Sequence, residues 1–363
     1  MSKRTYIGVE NVARRVKKAY IGVDNKARKI RRAYIGDANN IARLMFTSGK
    51  NYILIGGLYG DLTVSNEDDY NAVTKLWPSM SSSAYTSNLV SKINGDIIVA
   101  RGKDVTNGYG KYDPRTNTIT VLPKLSTGVT LGGYTVVDMA YGNGYYFAMF
   151  YNESTYRLAY ATSLDGEWTP FTSASAGFSR LQYHNGAFYL YGHSDKKVRR
   201  YTGSPPTTAE SSYEMKSDHW TYKNFTVFNG KVLVFARWDL GGNGYLIYWD
   251  ESSNMPSSSI NGTTVNIAVV PECIVHASDR IIAVDIETQQ LCYSLDGLTW
   301  TLVNTISGLR AVYYEGGVYY ATQGSTVYMS KDLVTWTQIA TGHATPPFTS
   351  TRKHFICTEM EDQ

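Results

Sequence analysis

The chain has 363 residues, 43% hydrophobic and 18% charged, which excludes a wholly disordered polymer and allows two average domains or one large all-β domain with an appendage. Thirty tyrosines against 11 phenylalanines, with 32 glycines, favour strands joined by tight turns, because aromatic side chains suit a half-buried pleat and glycine supplies positive φ. The net charge of +4 hides an asymmetry: residues 1–50 hold 13 Lys/Arg against 3 Asp/Glu, a balance of +10, while the rest holds 22 against 28, a balance of −6, so the two parts are expected to meet different partners.

The first element is a tandem repeat. Tyr6, Tyr20 and Tyr34 are 14 residues apart and each opens a Tyr-Ile-Gly triplet with Gly8, Gly22 and Gly36. Each triplet leads to an acidic or Asn-rich turn (Glu10-Asn11, Asp24-Asn25, Asn39-Asn40) and then an Ala-Arg pair ending at Arg14, Arg28 and Arg43. Fourteen residues approach four helical turns, but the repeated glycine and the Asx-rich turn argue for strands. Read as a strand, Ala27 to Gly36 alternates between two faces, neither fully apolar. A ribbon of strands of about ten residues is too thin to bury a core and needs a partner surface, most simply other subunits. Domain limits of 1–46 for this basic β-repeat attachment segment and 47–363 for the remainder follow. Lys and Arg with interleaved Tyr could also contact nucleic acid, which we consider an unlikely partner, or could simply protect ribbon edges.

From about residue 47 a longer recurrence begins. Apolar, aromatic-rich strands follow tight turns anchored at Gly49, Gly95, Gly144, Gly186, Gly230, Asp279 and Gly317, at intervals of 46, 49, 42, 44, 49 and 38. Asn-Gly between apolar runs is a strong hairpin signal. Several units continue with Ser-x-Asp and a downstream Trp: Ser294, Asp296 and Trp300; Ser330, Asp332 and Trp336; and, one residue shorter, Ser163, Asp165 and Trp168. A sharper turn, YDPRTNTI, starts at Tyr112. An Asp side chain closes such a turn by accepting backbone amides while the Trp packs between sheets, so these residues are expected to be structural.

These motifs resemble the Asp-box of sialidase-like propellers, and YDPRTNTI resembles the corresponding kelch-type turn. With units of about 45 residues they imply an all-β fold, four-stranded blades around a channel, seven by the anchors or alternatively six, because the unit from Asn51 to Pro78 is the weakest. A strand from TRKHFICTEM, beyond the last signature, is expected to complete the first blade.

No catalytic signature emerges. The body's arginines follow no fixed register, the six histidines show no HExxH pattern, and neither GxSxG nor a P-loop occurs. The chain is therefore expected not to be an enzyme, with a sialidase-like glycoside hydrolase as the alternative. Glycan binding without catalysis fits better, with Trp238, Tyr245, Trp249, Tyr109 and Tyr112 as possible contacts in loops rich in Asn, Asp and Gly. Cys273, Cys292 and Cys357 stand in no metal-ligand spacing and read as small buried hydrophobes; no metal or cofactor is expected. No apolar segment follows the basic start and no run approaches the ~18 apolar residues that span a membrane, so neither a signal peptide nor membrane insertion is expected.

The repeated core YIGV, Ala-Arg, paired basic residues and AYIG resembles N-terminal tandem repeats of bacteriophage tail, baseplate and fibre proteins. The resemblance covers about the first 46 residues, and the third copy departs at Asp37-Ala38. It implies a virion structural protein, made in the host cytoplasm and homo-oligomeric. The repeats would hold it to other virion proteins, and the propeller would be displayed for host attachment to cell-surface polysaccharide.

Overall fold

The computed structural model describes residues 6–9, 12–15, 19–23, 26–30, 32–36, 42–47, 49–58, 60–77, 89–100, 109–114, 116–121, 135–151, 155–174, 177–192, 195–207, 209, 211–214, 220–238, 244–251, 263–347 and 353–361. Among them, strands form seven four-stranded antiparallel sheets and three two-stranded ones.

The three small sheets are the repeat units. Tyr6–Val9 pairs with Val12–Arg15, Ala19–Val23 with Lys26–Ile30, and Arg32–Gly36 with Ala42–Thr47. The register repeats with the sequence: Ile7, Ile21 and Ile35 lie opposite Arg14, Arg28 and Arg43, and Gly8, Gly22 and Gly36 opposite Ala13, Ala27 and Ala42. This corrects the expected strand from Ala27 to Gly36. One strand ends at Ile30 and the next begins at Arg32, with strands of four to six residues rather than about ten, because each unit pairs with itself. The Asx-rich turn residues lie outside the described residues. The last leader strand reaches Thr47 and the first strand of the body starts at Gly49.

The seven larger sheets are blades in chain order, and the chain is a seven-bladed β-propeller. Blades 2 to 7 begin with the inner strands Leu89–Ile93, Thr135–Gly142, Phe178–His184, Trp220–Phe228, Pro271–His276 and Ala311–Glu315. Blade 1 takes its inner strand from the other end of the chain: Phe355–Glu361 pairs with Gly49–Gly56 through seven registered positions, Phe355 opposite Ile55 to Glu361 opposite Gly49. The ring is thus closed by the expected C-terminal strand, and the first unit looks weak in sequence because a quarter of it lies 300 residues away.

A blade is buried on both faces, so its second strand reads as a continuous apolar run. Ala187–Gly192 and Ile281–Asp285 are buried at every position. Seven hydrophobic clusters result, one at each blade-to-blade interface; Phe147, Leu158, Phe188 and Tyr201 fill that between blades 3 and 4. No single blade holds a core of its own.

The hairpin turn after the inner strand adds a second link between blades. Asn94-Gly95, Asn143-Gly144, Asn185-Gly186 and Asn229-Gly230 have positive φ at both residues, as a two-residue primed turn requires. Each Asn amide then donates to the next blade: Asn94 to the Tyr146 hydroxyl, Asn143 to Gly186 O, Asn185 to Glu251 and Asn229 to Leu295 O, at 2.8–3.1 Å. Where blade 7 meets blade 1, the buried His343 lies 3.1 Å from Thr63 Oγ1 and 2.9 Å from Ser65 Oγ, and burial pushes its pKa down to about 4.

Candidate functional site: the channel wall

The inner strands line a central channel. In blades 3 to 6 their register with the second strand shifts, between Val136 and Asp138, Phe178 and Arg180, Tyr222 and Asn224, and Glu272 and Val275. Four consecutive blades therefore bulge at the same level, and a bulge re-aims side chains that a regular strand would send to the blade interface. Asp138, Arg180 and Asn224 follow the first three shifts, and all are buried.

These side chains link one blade to the next. The Asp138 carboxylate accepts the Met139 and Leu181 amides at 2.8 Å and the Lys353 ammonium at 3.2 Å. Arg180 donates from Nη1 to Asn224 Oδ1 at 2.9 Å and from Nη2 to Ile274 O at 2.8 Å. Asn224 Oδ1 also accepts the Phe225 amide, so two donors fix the orientation of its side chain and leave Nδ2 as a buried donor without a partner among the described residues. Burial holds the Arg180 pKa below its ordinary value, against the attraction of Asp138. A guanidinium is retained there because its hydrogen bonds are met, at an electrostatic cost that removal of either acceptor would raise.

Nearer the turn end of the same strands, Thr226 Oγ1 lies 2.7 Å from His276 Nε2 and 3.1 Å from Gln182 Oε1, which also accepts the Val227 amide. Burial first, then Arg180 and His184, push the His276 pKa down to about 4, so the ring is neutral at physiological pH. Arg180, Gln182 and His276 border a cavity of about 400 Å³, which is also lined by Lys92, Tyr141, Tyr183, Tyr313 and Lys353. Among the described residues, none that lines it is an aspartate or glutamate.

The sequence candidates lie elsewhere. The Asp296 carboxylate accepts the amides of Leu298 and Thr299, at 2.8 and 2.7 Å, and the Ser294 hydroxyl; Asp332 accepts Val334, Thr335 and Ser330 in the same way. The third triad is different. Asp165 makes no such bonds among the described residues, Gly166 donates to Ser163 O, and Ser163 is exposed where Ser294 and Ser330 are buried. One residue fewer between Asp and Trp prevents the carboxylate from spanning the turn. The Trp function survives: Trp168 is fully buried between blades 2 and 3, while Trp300 and Trp336 pack on the blade 5–6 and 6–7 clusters.

Three of the aromatic glycan candidates are corrected. Tyr109, Tyr112 and Trp249 are only 6%, 2% and 8% exposed. Both faces of a blade meet a neighbour, so strand aromatics go into the interfaces; Tyr109 packs edge-on against Phe150 and Trp168. Tyr112 donates to Asn117 Oδ1 within its own turn. Tyr245 is half-buried on the cluster holding Trp249. Trp238 ends a strand opposite Trp220, and its side chain lies outside the described residues, as do the side chains of the attachment-repeat candidates and parts of the loops quoted for glycan contact. Cys292 and Cys357 are buried, and burial pushes the Cys357 thiol up to about 12; Cys273 is half-buried and carries a positive φ of 49° at the fourth bulge.

The channel residues were missed. Their signal is a polar residue five positions before the turn Asn: Asp138 before Asn143, Arg180 before Asn185, Asn224 before Asn229.

No protein-family model matches the chain, and no curated protein matches it. Among solved structures it is similar to a streptogramin B lyase, at 11% identity and a TM-score of 0.53 over 86% of this chain and 98% of that one. It is also similar to a protein from Lactobacillus plantarum, at 11% identity and 0.56 over 85% and 99%. At this identity the likeness is one of fold alone, and the class these findings define is the β-propeller.

Proposed function

We propose that the chain is a display protein of a phage-type particle, held in an assembly by its basic hairpin leader and presenting the propeller outward. The observation that carries this reading is that all seven blades are built from residues 49–361, so the ring closes without the leader. Three self-paired hairpins of four to six residues per strand bury too little to be stable alone, and their repeated register offers the same surface three times. Other virion proteins and further copies of this chain are the partners this predicts. The propeller binds host polysaccharide without turnover.

Light scattering coupled to size-exclusion chromatography, on the full chain and on a chain starting at Ser48, tests the first part. An oligomer for the former and a folded monomer for the latter support docking through the leader; equal masses overturn self-assembly through it. Strongly salt-dependent DNA binding by residues 1–50 would instead favour a nucleic-acid role. Release of reducing ends from a glycan panel would replace binding with hydrolysis.

A further inference from the structure

We infer that the channel cavity is a binding site for a monosaccharide-sized anion, a sugar ring bearing a carboxylate or phosphate, with Arg180 as its anchor. The inference rests on the reading of the propeller as a binding module and names what that module takes.

Charge points to the anion. Arg180, Lys353 and Lys92 line the cavity, and no carboxylate does among the described residues. Lys92 is paired with Glu315 and Lys353 with Asp138, both outside the lining, and Glu272 on the bulged blade 6 strand is likewise buried outside it. Arg180 donates its two hydrogen bonds to neutral oxygens and shares the Asp138 field with Lys353. Arg180 and Lys353 share the one Asp138 carboxylate, and with Asp138, Glu315 and Glu272 all outside the lining it is the cationic groups that face the cavity, where low dielectric strengthens their attraction for an anion. Asn224, whose Nδ2 is a buried donor with no partner among the described residues, holds the Arg180 guanidinium from outside the lining. Guanidinium is the group that best matches a planar or tetrahedral oxyanion.

Shape and lining point to the sugar. The cavity of about 400 Å³ lies within the ordinary range for small-ligand sites, roughly 300–1,000 Å³. Tyr141, Tyr183 and Tyr313 line it, aromatic groups of a kind suited to ring C–H groups. Four aligned bulges place this polar belt, a costly arrangement for a wall that regular strands would make apolar.

Isothermal titration of the full chain with sodium glucuronate, glucose 6-phosphate and glucose tests it. One saturable site for at least one of the two acids, tenfold or more tighter than for glucose, is expected, and the tighter acid identifies the anion. Lys353→Gln, at the edge of the cavity, should weaken that acid threefold or more, and Arg180→Gln should abolish its binding while the circular dichroism spectrum is retained. Should Arg180→Gln not fold, Lys353→Gln decides. No binding of either acid up to about 10 mM, glucose binding as tightly as the acids, or unchanged affinity in the folded variants overturns the inference. Assembly through the leader can succeed or fail independently of this titration, so the two readings are separable.

Discussion

The leader and the propeller are both tandem repeats, and the difference between them is the length of the unit. Fourteen residues make one hairpin, which pairs only with itself and has no second layer. Some forty-five make four strands, enough to offer two apolar faces, and seven such units bury one another in a ring with a cluster at every interface. A short unit therefore exports its unsatisfied surface to a partner, whereas a long one spends it internally. The two regions should respond oppositely to truncation.

That contrast gives the largest expected effect. Deleting the chain from Lys353 onward removes the inner strand of blade 1 and exposes the faces that Phe355, Ile356 and Cys357 cover. Burial of Phe355 and Ile356 alone contributes roughly 3–6 kcal/mol, comparable with the whole stability of many domains. Thermal unfolding followed by circular dichroism should show loss of a cooperative transition. Starting the chain at Ser48 should leave the transition temperature within a few degrees. If the two deletions behaved alike, the ring would not be the independent unit.

Acid should act on the ring next. His276 and His343 both have folded pKa values of about 4 against 6.5 for a free imidazole, so the unfolded chain binds more protons between those pH values. Stability is then full above pH 6.5 and falls as pH drops toward 4, by about 3 kcal/mol for each histidine. Urea midpoints measured from pH 7.5 to 4 check this. His343→Gln should flatten that slope by about half, since the neutral amide has nothing to protonate; an unchanged slope would remove His343 from the account.

The sequence disclosed the ring more readily than the channel, for a physical reason. Asn-Gly turns and apolar second strands are local signals, and the anchors Gly95, Gly144, Gly186 and Gly230 each stand at a primed turn. The inner strand of blade 1 was legible only as a leftover segment. The bulges before Asp138, Arg180 and Asn224 are events of cross-strand register, which no single segment encodes, so the polar belt has no local signature. For the same reason the sequence from Ala27 to Gly36 reads as one strand: alternation is identical along both halves, and only pairing decides that it breaks after Ile30. Tyr109, Tyr112 and Trp249 stand among Asn, Asp and Gly, a composition that reads as exposed loop, although stacking of blades covers both sides of the strands that hold them.

A smaller effect should separate the two jobs of the Asn turns. Asn143 combines a φ of 50° with an amide bond to Gly186 O and acceptance of the Tyr183 hydroxyl at 2.6 Å. Asn143→Gly keeps the backbone and loses the clasp, about 1 kcal/mol; Asn143→Ala also leaves the left-handed region to a side chain without the polar group that lets Asn tolerate it, for about 2 kcal/mol in all. Equal losses in chemical denaturation would mean that the clasp carries everything and the turn geometry nothing.

The smallest effect sharpens the comparison within the ring. Asp296 and Asp165 occupy corresponding places in sequence, yet only Asp296 holds its turn, through two amides and two hydroxyls. Those bonds hold its carboxyl below the usual range, against a desolvation penalty that burial imposes, and Asp332 is lowered to about 2 chiefly by its own two amide bonds. The turn following Ser330 even carries Leu333 at a φ of 66°, where Gly297 stands at 82° in blade 6, a conformation a branched side chain adopts only when the surroundings impose it. Asp296→Ala should therefore cost about 1 kcal/mol, a solvent-exposed set of bonds being worth less than a buried one, while Asp165→Ala should be neutral within ~0.5 kcal/mol. Matched losses at the two positions would mean that Asp165 closes its turn after all and that the missing residue before Trp168 changes nothing. Unmatched losses would establish that the Trp alone, packed between blades, keeps the shortened unit in the ring.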